Sequence, residues 1–150
     1  MSTQTNKELV LSMVASVVAP EAVTDDFEFS IQADPSSHAA ASRVLTRDAL
    51  LPGLAATRET FRFPDDGPAG DGLRQTVRSI TAEDDRVVVE TVAEGVLKSD
   101  PTRKLKNRGV FVYEFRGDKV ARLRVYEDTA YVIAFWSGEN SAISNAVNAT

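Results

Sequence analysis

Two acidic residues, Asp34 and Glu127, lie at the ends of apolar, strand-like segments and are the candidate catalytic groups of this sequence. A carboxylate that faces a water-poor pocket loses hydration, which disfavours its charged form and raises its pKa toward the working pH. Such a group can remove a proton next to a carbonyl. Asn107 and Tyr113 can donate hydrogen bonds to the enolate oxygen that this proton transfer creates. These residue types therefore indicate general acid–base catalysis without a cofactor.

Each of these residues also has an ordinary structural interpretation. Asp34 precedes a proline in a Ser-rich turn, where Asp often only binds backbone N–H groups. Glu127 lies near a strand end and can reach solvent, and Asn107 can cap the start of its strand. Tyr113 can be a core ring whose hydroxyl binds water. The sequence leaves both interpretations open for each residue.

Alternation along two segments predicts which side chains share a sheet face. On Leu105–Phe115, one side carries Leu105, Asn107, Gly109, Phe111, Tyr113 and Phe115. The opposite side carries the charges Lys104, Lys106, Arg108, Glu114 and Arg116, which mark it as the outer face. On the following segment, Ala121, Leu123, Val125 and Glu127 share one face. The predicted inner face is therefore apolar except for Asn107, Tyr113 and Glu127, and such polar groups each need a partner, a water or a ligand.

Four further residues complete the predicted substrate-binding set. Phe111 and Val125 belong to the apolar wall of the inner face, and Trp136 ends the apolar C-terminal stretch that begins at Tyr131. His38 follows the same turn as Asp34. A solvated loop histidine is the alternative interpretation of His38.

The composition excludes several classes of site. The 150-residue chain has no cysteine and a single histidine, which rules out thiol nucleophiles, zinc–thiolate sites and two-histidine metal sites. We therefore predict no metal and no cofactor. A net charge of −5 makes nucleic acid a poor partner, because phosphate binding needs clustered Lys and Arg. The basic run from Arg103 to Arg108 alternates at strand spacing and is interpreted as a solvated sheet face.

No segment is long enough to span a membrane, so we predict no membrane association. The apolar run from Leu9 to Ala19 follows a single lysine and resembles a short export signal. Glu8 directly before it favours a buried first helix instead. The expected location is the cytoplasm.

The order of elements predicts helices first and a sheet afterwards. A first helix is predicted from Asn6, which can cap it, to Val18, and a strand from Phe27 to Ile31. Thr46 can cap a second helix, in which Pro52 would cause a kink or a split. Four strands are then predicted at Leu73–Thr81, Arg86–Lys98, Leu105–Phe115 and Lys119–Asp128. The stretch Tyr131–Trp136 forms a short helix or strand, for which Asp128 and Thr129 are the candidate cap.

These elements predict one domain over residues 1–150. The Pro- and Gly-rich stretch from Pro64 to Gly72 is interpreted as a loop inside that domain, and the tail after about residue 137 as loose.

The stretch Asn107–Thr129 resembles the C-terminal signature of SnoaL-like polyketide cyclases. It has an Asn, an aromatic-rich strand, a hairpin at Gly117-Asp118-Lys119 and an Arg-x-Tyr-x-Asp-Thr ending. With the order of elements, this resemblance implies the ketosteroid isomerase-like, or nuclear transport factor 2-like, fold. That fold is an α+β structure in which a cone-shaped, mostly antiparallel sheet packs against N-terminal helices and shelters a small-molecule pocket.

Residue by residue, the resemblance transfers only in part. Asp34-Pro35 resembles the Asp-Pro in which ketosteroid isomerases carry their general base. Their first-helix tyrosine has no counterpart between Asn6 and Pro20, and their second carboxylic acid would fall near Phe111. Relatives often have an acid where this chain has Val125, and Glu127, two residues later on the same strand face, can supply that carboxylate.

The resemblance implies a cyclase or isomerase that acts on a hydrophobic, polyketide- or terpenoid-like carbonyl compound. One alternative is a non-catalytic binding or assembly protein of the same fold. A further alternative is an epoxide hydrolase or dehydratase, although the Arg that the epoxide hydrolases need has no inward counterpart on Arg86–Lys98, where Thr91 and Ala93 hold the inner positions. The resemblance also implies a homodimer through the outer sheet face, where the sequence places Val88, Val92, Val96, Val110 and Val112.

Overall fold

A six-stranded sheet and helices packed against it make up the computed structural model, which describes residues 2–15, 19–34, 36 and 43–137. The helices are α1 (Thr3–Ala15), α2 (Arg47–Thr60) and α3 (Thr129–Ser137), and a short 3-10 helix spans Pro20–Ala22. The strands are β1 (Val23–Ile31), β2 (Phe61–Arg62), β3 (Arg74–Glu83), β4 (Arg86–Leu97), β5 (Lys104–Arg116) and β6 (Lys119–Glu127).

The sheet is mostly antiparallel and strongly curled. Its strands follow the order β1–β6–β5–β4, and β4 then pairs with β3 along most of its length and with β2 at its end. Only the β1–β6 pair is parallel among these strands. The predicted α+β fold with a curved, mostly antiparallel sheet is confirmed.

The helix starts show where local prediction succeeded and where it failed. Thr46 caps α2 as predicted, since its hydroxyl accepts a hydrogen bond from the Ala49 N–H at 3.3 Å. The predicted cap of α1 is wrong: Ser2, whose hydroxyl accepts from the Thr5 N–H, takes this role. Asn6 instead lies inside α1 with a buried side chain, on the same helix face as Val10 and Met13. The described part of α1 ends at Ala15, and the predicted end at Val18 lies outside the described residues.

The split that was one of the two predicted effects of Pro52 does not occur. The helix α2 is continuous from Arg47 to Thr60. Pro52 lies near its N-terminal end, where a missing N–H removes one hydrogen bond, to the carbonyl of Asp48, and Asp48 is exposed. The strands β3 to β6 fall within one or two residues of their predicted bounds, whereas β1 begins at Val23, four residues before its predicted start. The short strand β2 was not predicted, because two residues carry no periodicity.

Two separate apolar clusters cover the concave face of the sheet. In the first cluster, the α1 residues Val10 and Met13 pack against the sheet. Its buried sheet residues include Val87, Val89, Tyr113, Leu123 and Val125. The second packs the α3 residues Tyr131 and Phe135 against Phe61, Leu97 and Leu105. A different helix thus closes each cluster. The rows of the sheet that lie between the two clusters contribute buried residues to neither of them.

The helix α3 follows β6 after a single intervening residue, Asp128. Asp128 caps α3 as predicted, because its carboxylate accepts a hydrogen bond from the Tyr131 N–H at 3.0 Å. The Tyr131 hydroxyl then accepts from the backbone N–H of Lys106 at 2.8 Å. Since β6 pairs with β5 only as far as Gly109, this hydroxyl satisfies a β5 donor that β6 no longer reaches. No helix in the described ranges is long and apolar enough to cross a membrane.

Candidate functional site

Polar side chains occupy two neighbouring rows of the concave face, between the two apolar clusters. Strand register aligns Gln75 (β3), Ala93 (β4) and Asn107 (β5) in one row. The adjacent row consists of Val77, Thr91, Gly109 and Glu127. We call Gln75, Thr91, Asn107 and Glu127 the polar patch. The register therefore brings the predicted residues Asn107 and Glu127 together on one face, as the alternation indicated.

The central contact of the polar patch joins Asn107 to Glu127. The Asn107 Nδ2 donates a hydrogen bond to the Glu127 Oε2 at 3.3 Å. Asn107 is only 7% exposed, and no donor among the described residues partners its Oδ1. The Gln75 Oε1 is likewise buried and unpartnered among these residues. A buried acceptor without a donor costs about 1–3 kcal/mol, so these oxygens indicate a place for water or ligand.

A gap separates Thr91 from Glu127 in their common row, because Gly109 between them has no side chain. A Cβ at Gly109 would lie 3.5 Å from the Phe111 ring, 3.7 Å from the Thr91 hydroxyl and 3.2 Å from the Tyr126 carbonyl oxygen. A methyl group there would make ordinary contacts with the ring and the hydroxyl but would lie too close to the carbonyl oxygen, so the gap is slightly smaller than a methyl group and is bordered by the ring of Phe111. It leaves the Thr91 hydroxyl and the Glu127 carboxylate on either side of an open strip of backbone.

The concave face is not completely filled by hydrocarbon. Phe111 and Ala93 lie on the interior strands β5 and β4, away from the sheet edges, and point to the concave side. Both are nevertheless partly exposed, although Val89 and Val125, the row neighbours of Phe111, are buried. Exposure at interior strands on the covered face requires open space above them. The polar patch and the ring of Phe111 thus border a hollow.

Tyr113 lies on the predicted face but apart from Glu127. It is four residues beyond Gly109 on β5, about 13 Å along the strand, and the Phe111 ring lies between. Tyr113 is 2% exposed within the first apolar cluster, and burial raises the pKa of its hydroxyl. This phenol stays protonated at neutral pH, but a ligand would have to span both positions to contact Tyr113 and Glu127 together.

The structure contradicts the reasoning that made Asp34 a base. Asp34 is exposed, and its Oδ1 accepts hydrogen bonds from the Ser36 N–H at 2.8 Å and the Ser36 hydroxyl at 2.6 Å. These hydrogen bonds stabilise the carboxylate and lower the pKa of Asp34. The turn-forming interpretation of Asp34 describes this geometry, and desolvation has a smaller effect on the pKa of Asp34 than the hydrogen bonds from Ser36.

The other two predicted binding residues do not join the polar patch. His38 lies outside the described residues. Trp136 is 52% exposed and packs edge-on against Phe61 and Phe135, with ring centroids 5.7 Å and 5.2 Å away. It therefore sits on the outer rim of the second apolar cluster. Two members of the polar patch, Gln75 and Thr91, were not proposed from sequence as site residues. Each is a polar residue on the apolar face of its strand, and that pattern could have identified it.

A second concavity, of about 670 Å³, lies mainly on the outer face of the sheet. It is shallow, and its lining includes Arg78, Glu90, Val92, Lys106, Arg108, Val110 and Tyr126. Only Thr91, Gly109 and Glu127 of its lining belong to rows whose side chains point to the concave side. Among the described residues, no three His, Asp or Glu side chains converge closely enough to hold a metal ion.

A family model, the SnoaL-like domain, matches residues 11–123. The chain therefore belongs to the SnoaL-like family, and its structure is a nuclear transport factor 2-like fold. No curated protein matches the chain in sequence.

Solved structures with low sequence identity share this fold. The proposed SnoaL-like polyketide cyclase from Jannaschia sp. CCS1 is 18% identical, with a TM-score of 0.69 over 91% of this chain and 94% of that one. A nuclear transport factor 2-like protein from Burkholderia xenovorans LB400 is 23% identical, with a TM-score of 0.63 over 93% and 99%. TerC, co-crystallised with polyporic acid, is 17% identical, with a TM-score of 0.68 over 89% and 99%. The family includes possible isomerases and cyclases as well as non-catalytic members.

The lowered pKa of Asp34 gives a pH prediction. Because the folded-state pKa is below the unfolded value of about 3.9, the turn stabilises the fold above that value, and the contribution is lost as the pH falls through the folded pKa. In a carboxyl-carbon NMR titration, Asp34 will titrate below the ordinary Asp value. Ser36→Ala will raise that midpoint, because it removes the hydroxyl donor that contributes most to the shift. A midpoint above the ordinary value would show a desolvated carboxyl and restore Asp34 as a candidate base.

Proposed function

We propose that this protein is a cofactor-free cyclase or isomerase that acts on a hydrophobic carbonyl compound, with Glu127 as the general base. The observation that carries the proposal is the Asn107–Glu127 pair on the concave face, between two apolar clusters and beside a hollow. A carboxylate held by a buried carboxamide, with apolar surface on both sides, is suited to a substrate whose ends are hydrocarbon and whose centre is polar.

The proposed step is proton transfer from carbon to Glu127. The carboxylate takes a proton from the carbon next to the carbonyl, the electrons of that C–H bond form a C=C bond, and the carbonyl π electrons move onto oxygen. The enolate can be reprotonated at another carbon, which is isomerisation, or can attack a second carbonyl of the same molecule, which closes a ring. No redox partner is needed, because the proton returns to the product.

Asn107 acts as a positioning residue in this proposal. Its Nδ2 is engaged with the carboxylate of Glu127, so the amide orients the base. The sequence-based role of Asn107 as a donor to the enolate oxygen would require its remaining N–H bond. The Thr91 hydroxyl, on the other side of Gly109, is the alternative donor for that oxygen.

The relatives support the substrate class. TerC was co-crystallised with polyporic acid, and the Jannaschia protein is named for polyketide cyclisation. The inner positions of β4, which are Val87, Val89, Thr91, Ala93, Gly95 and Leu97, include no arginine. This disfavours the alternative of an epoxide hydrolase. The alternative of a non-catalytic binding protein uses the same hollow and differs only in what Glu127 does.

Glu127→Gln tests the proton transfer. In D₂O, the wild-type protein will accelerate exchange of the α-protons of 2-tetralone, followed by ¹H NMR. The substitution will reduce the catalysed rate about 100-fold or more, because it removes the base. The matched control is Glu8→Gln, since Glu8 is an exposed carboxylate on α1 that accepts from the Gln4 side-chain amide.

Equal loss of exchange in both variants, or no loss in Glu127→Gln, would contradict Glu127 as the base. A wild-type protein that binds 2-tetralone without accelerating exchange would favour the non-catalytic alternative.

We also propose that two copies pair through the outer face of the sheet. Val88 is paired with Val112, and Val110 with Tyr126, so these residues form a continuous partly exposed patch. Val92 and Val96, which the sequence analysis added to this surface, are already buried within one protomer. Arg108 and Glu90 flank Val110 and Val92 on this face, and a two-fold related copy can bring such opposite charges together.

Val110→Lys tests this surface. The wild-type protein will have the mass of two chains in size-exclusion chromatography with light scattering, and the variant will shift toward one chain, because it places two buried charges of the same sign across the two-fold axis. Leu11→Lys is the control, since Leu11 is 42% exposed on α1 and away from the outer sheet face. A wild-type mass of one chain at micromolar concentration would contradict the proposal.

A further inference from the structure

Two buried carboxamide oxygens face the same row of the concave sheet without a donor. They are the Oε1 of Gln75 and the Oδ1 of Asn107, and Ala93 lies between them on β4. No donor in the described part of the chain reaches either oxygen. Ala93 is small and partly exposed, so the row is not completely covered at this strand.

The orientation of the Asn107 amide is fixed by its neighbour. A carboxylate only accepts hydrogen bonds, so the NH₂ group of Asn107 must face Glu127 and the Oδ1 must point away from it. Rotation of the amide by half a turn would place two acceptor oxygens against each other. The unpartnered oxygen is therefore a consequence of the Glu127 contact.

These two acceptors limit what the hollow can bind. A ligand that places carbonyl or ether oxygens at these two positions would set acceptor against acceptor, whereas a ligand with O–H groups there would satisfy both. We infer that the ligand of this hollow is hydroxylated, with two O–H groups that donate to Gln75 and Asn107. The inference deepens the proposed function and rests on it for the location of the site, but it concerns binding and not proton transfer.

The strand spacing also limits how far apart the two O–H groups are. Gln75 and Asn107 are on the two strands that flank β4, so their backbones are about 10 Å apart. Each hydroxyl oxygen would lie about 2.8 Å from its carboxamide acceptor. An aromatic diol with an apolar substituent offers two O–H groups on one rigid frame and is the ligand class chosen for the test.

The experiment compares 5-pentylresorcinol with its dimethyl ether by isothermal titration calorimetry. The wild-type protein will bind the diol at least about tenfold more tightly than the ether, since the ether leaves both buried acceptors without donors. Gln75→Leu will weaken diol binding about tenfold and leave ether binding unchanged or stronger. The matched control is Gln4→Leu, because Gln4 is exposed on α1.

A second measurement does not depend on any ligand. Because no donor among the described residues partners the Gln75 oxygen, Gln75→Leu will raise the melting temperature, whereas substitution of a residue with a purely structural hydrogen bond would lower it. The inference is overturned by equal affinity for diol and ether, by the absence of diol binding, or by a lower melting temperature for Gln75→Leu. If Glu127→Gln leaves proton exchange intact while the diol preference holds, the proposed function fails and this inference stands. The reverse pattern overturns the inference alone.

Discussion

The hydrogen bond between the Asn107 carboxamide and the Glu127 carboxylate is the contact on which the candidate site depends. A carboxylate on a mostly apolar sheet face is costly unless a donor holds it, and a buried carboxamide is costly unless both of its ends are satisfied. The pair gives the carboxylate a donor, but it satisfies only the NH₂ end of the carboxamide. The Asn107 oxygen is turned away from Glu127, which is its only described partner. That remaining oxygen is what gives the site a preference for donors.

The sheet makes this contact possible through its register. Glu127 ends β6 opposite Gly109, and Asn107 is two residues earlier on β5, so the two side chains reach the same side of the curled sheet. Gly109 contributes by the absence of a side chain, which keeps the strip between Thr91 and Glu127 open. The two helices that close the apolar clusters, α1 and α3, belong to different clusters, and the polar patch is part of neither.

The concave face could be predicted from sequence because a two-residue period is a direct consequence of strand geometry. Alternation on Leu105–Phe115 and in the strand after it placed Asn107, Phe111, Val125 and Glu127 on one face, and the register confirms this. Alternation gives a face but not the position along the strand, which is why Tyr113 was grouped with Glu127 although the row of Phe111 lies between them. Gln75 was missed as a site residue because its significance depends on a neighbour two strands away. Asp34 was misjudged because the number of donors in a turn, and not the apolar strand before it, sets the environment of that carboxylate.

The central claim is that a carbonyl ligand occupies the concave hollow beside Glu127 and not the outer concavity. Intermolecular NOEs from the α-protons of bound 2-tetralone measure this directly. The account predicts NOEs to the Asn107 side-chain NH₂ group and to the Phe111 ring. NOEs to Val110 and Tyr126, with none to Asn107, would place the ligand on the outer face and contradict the account.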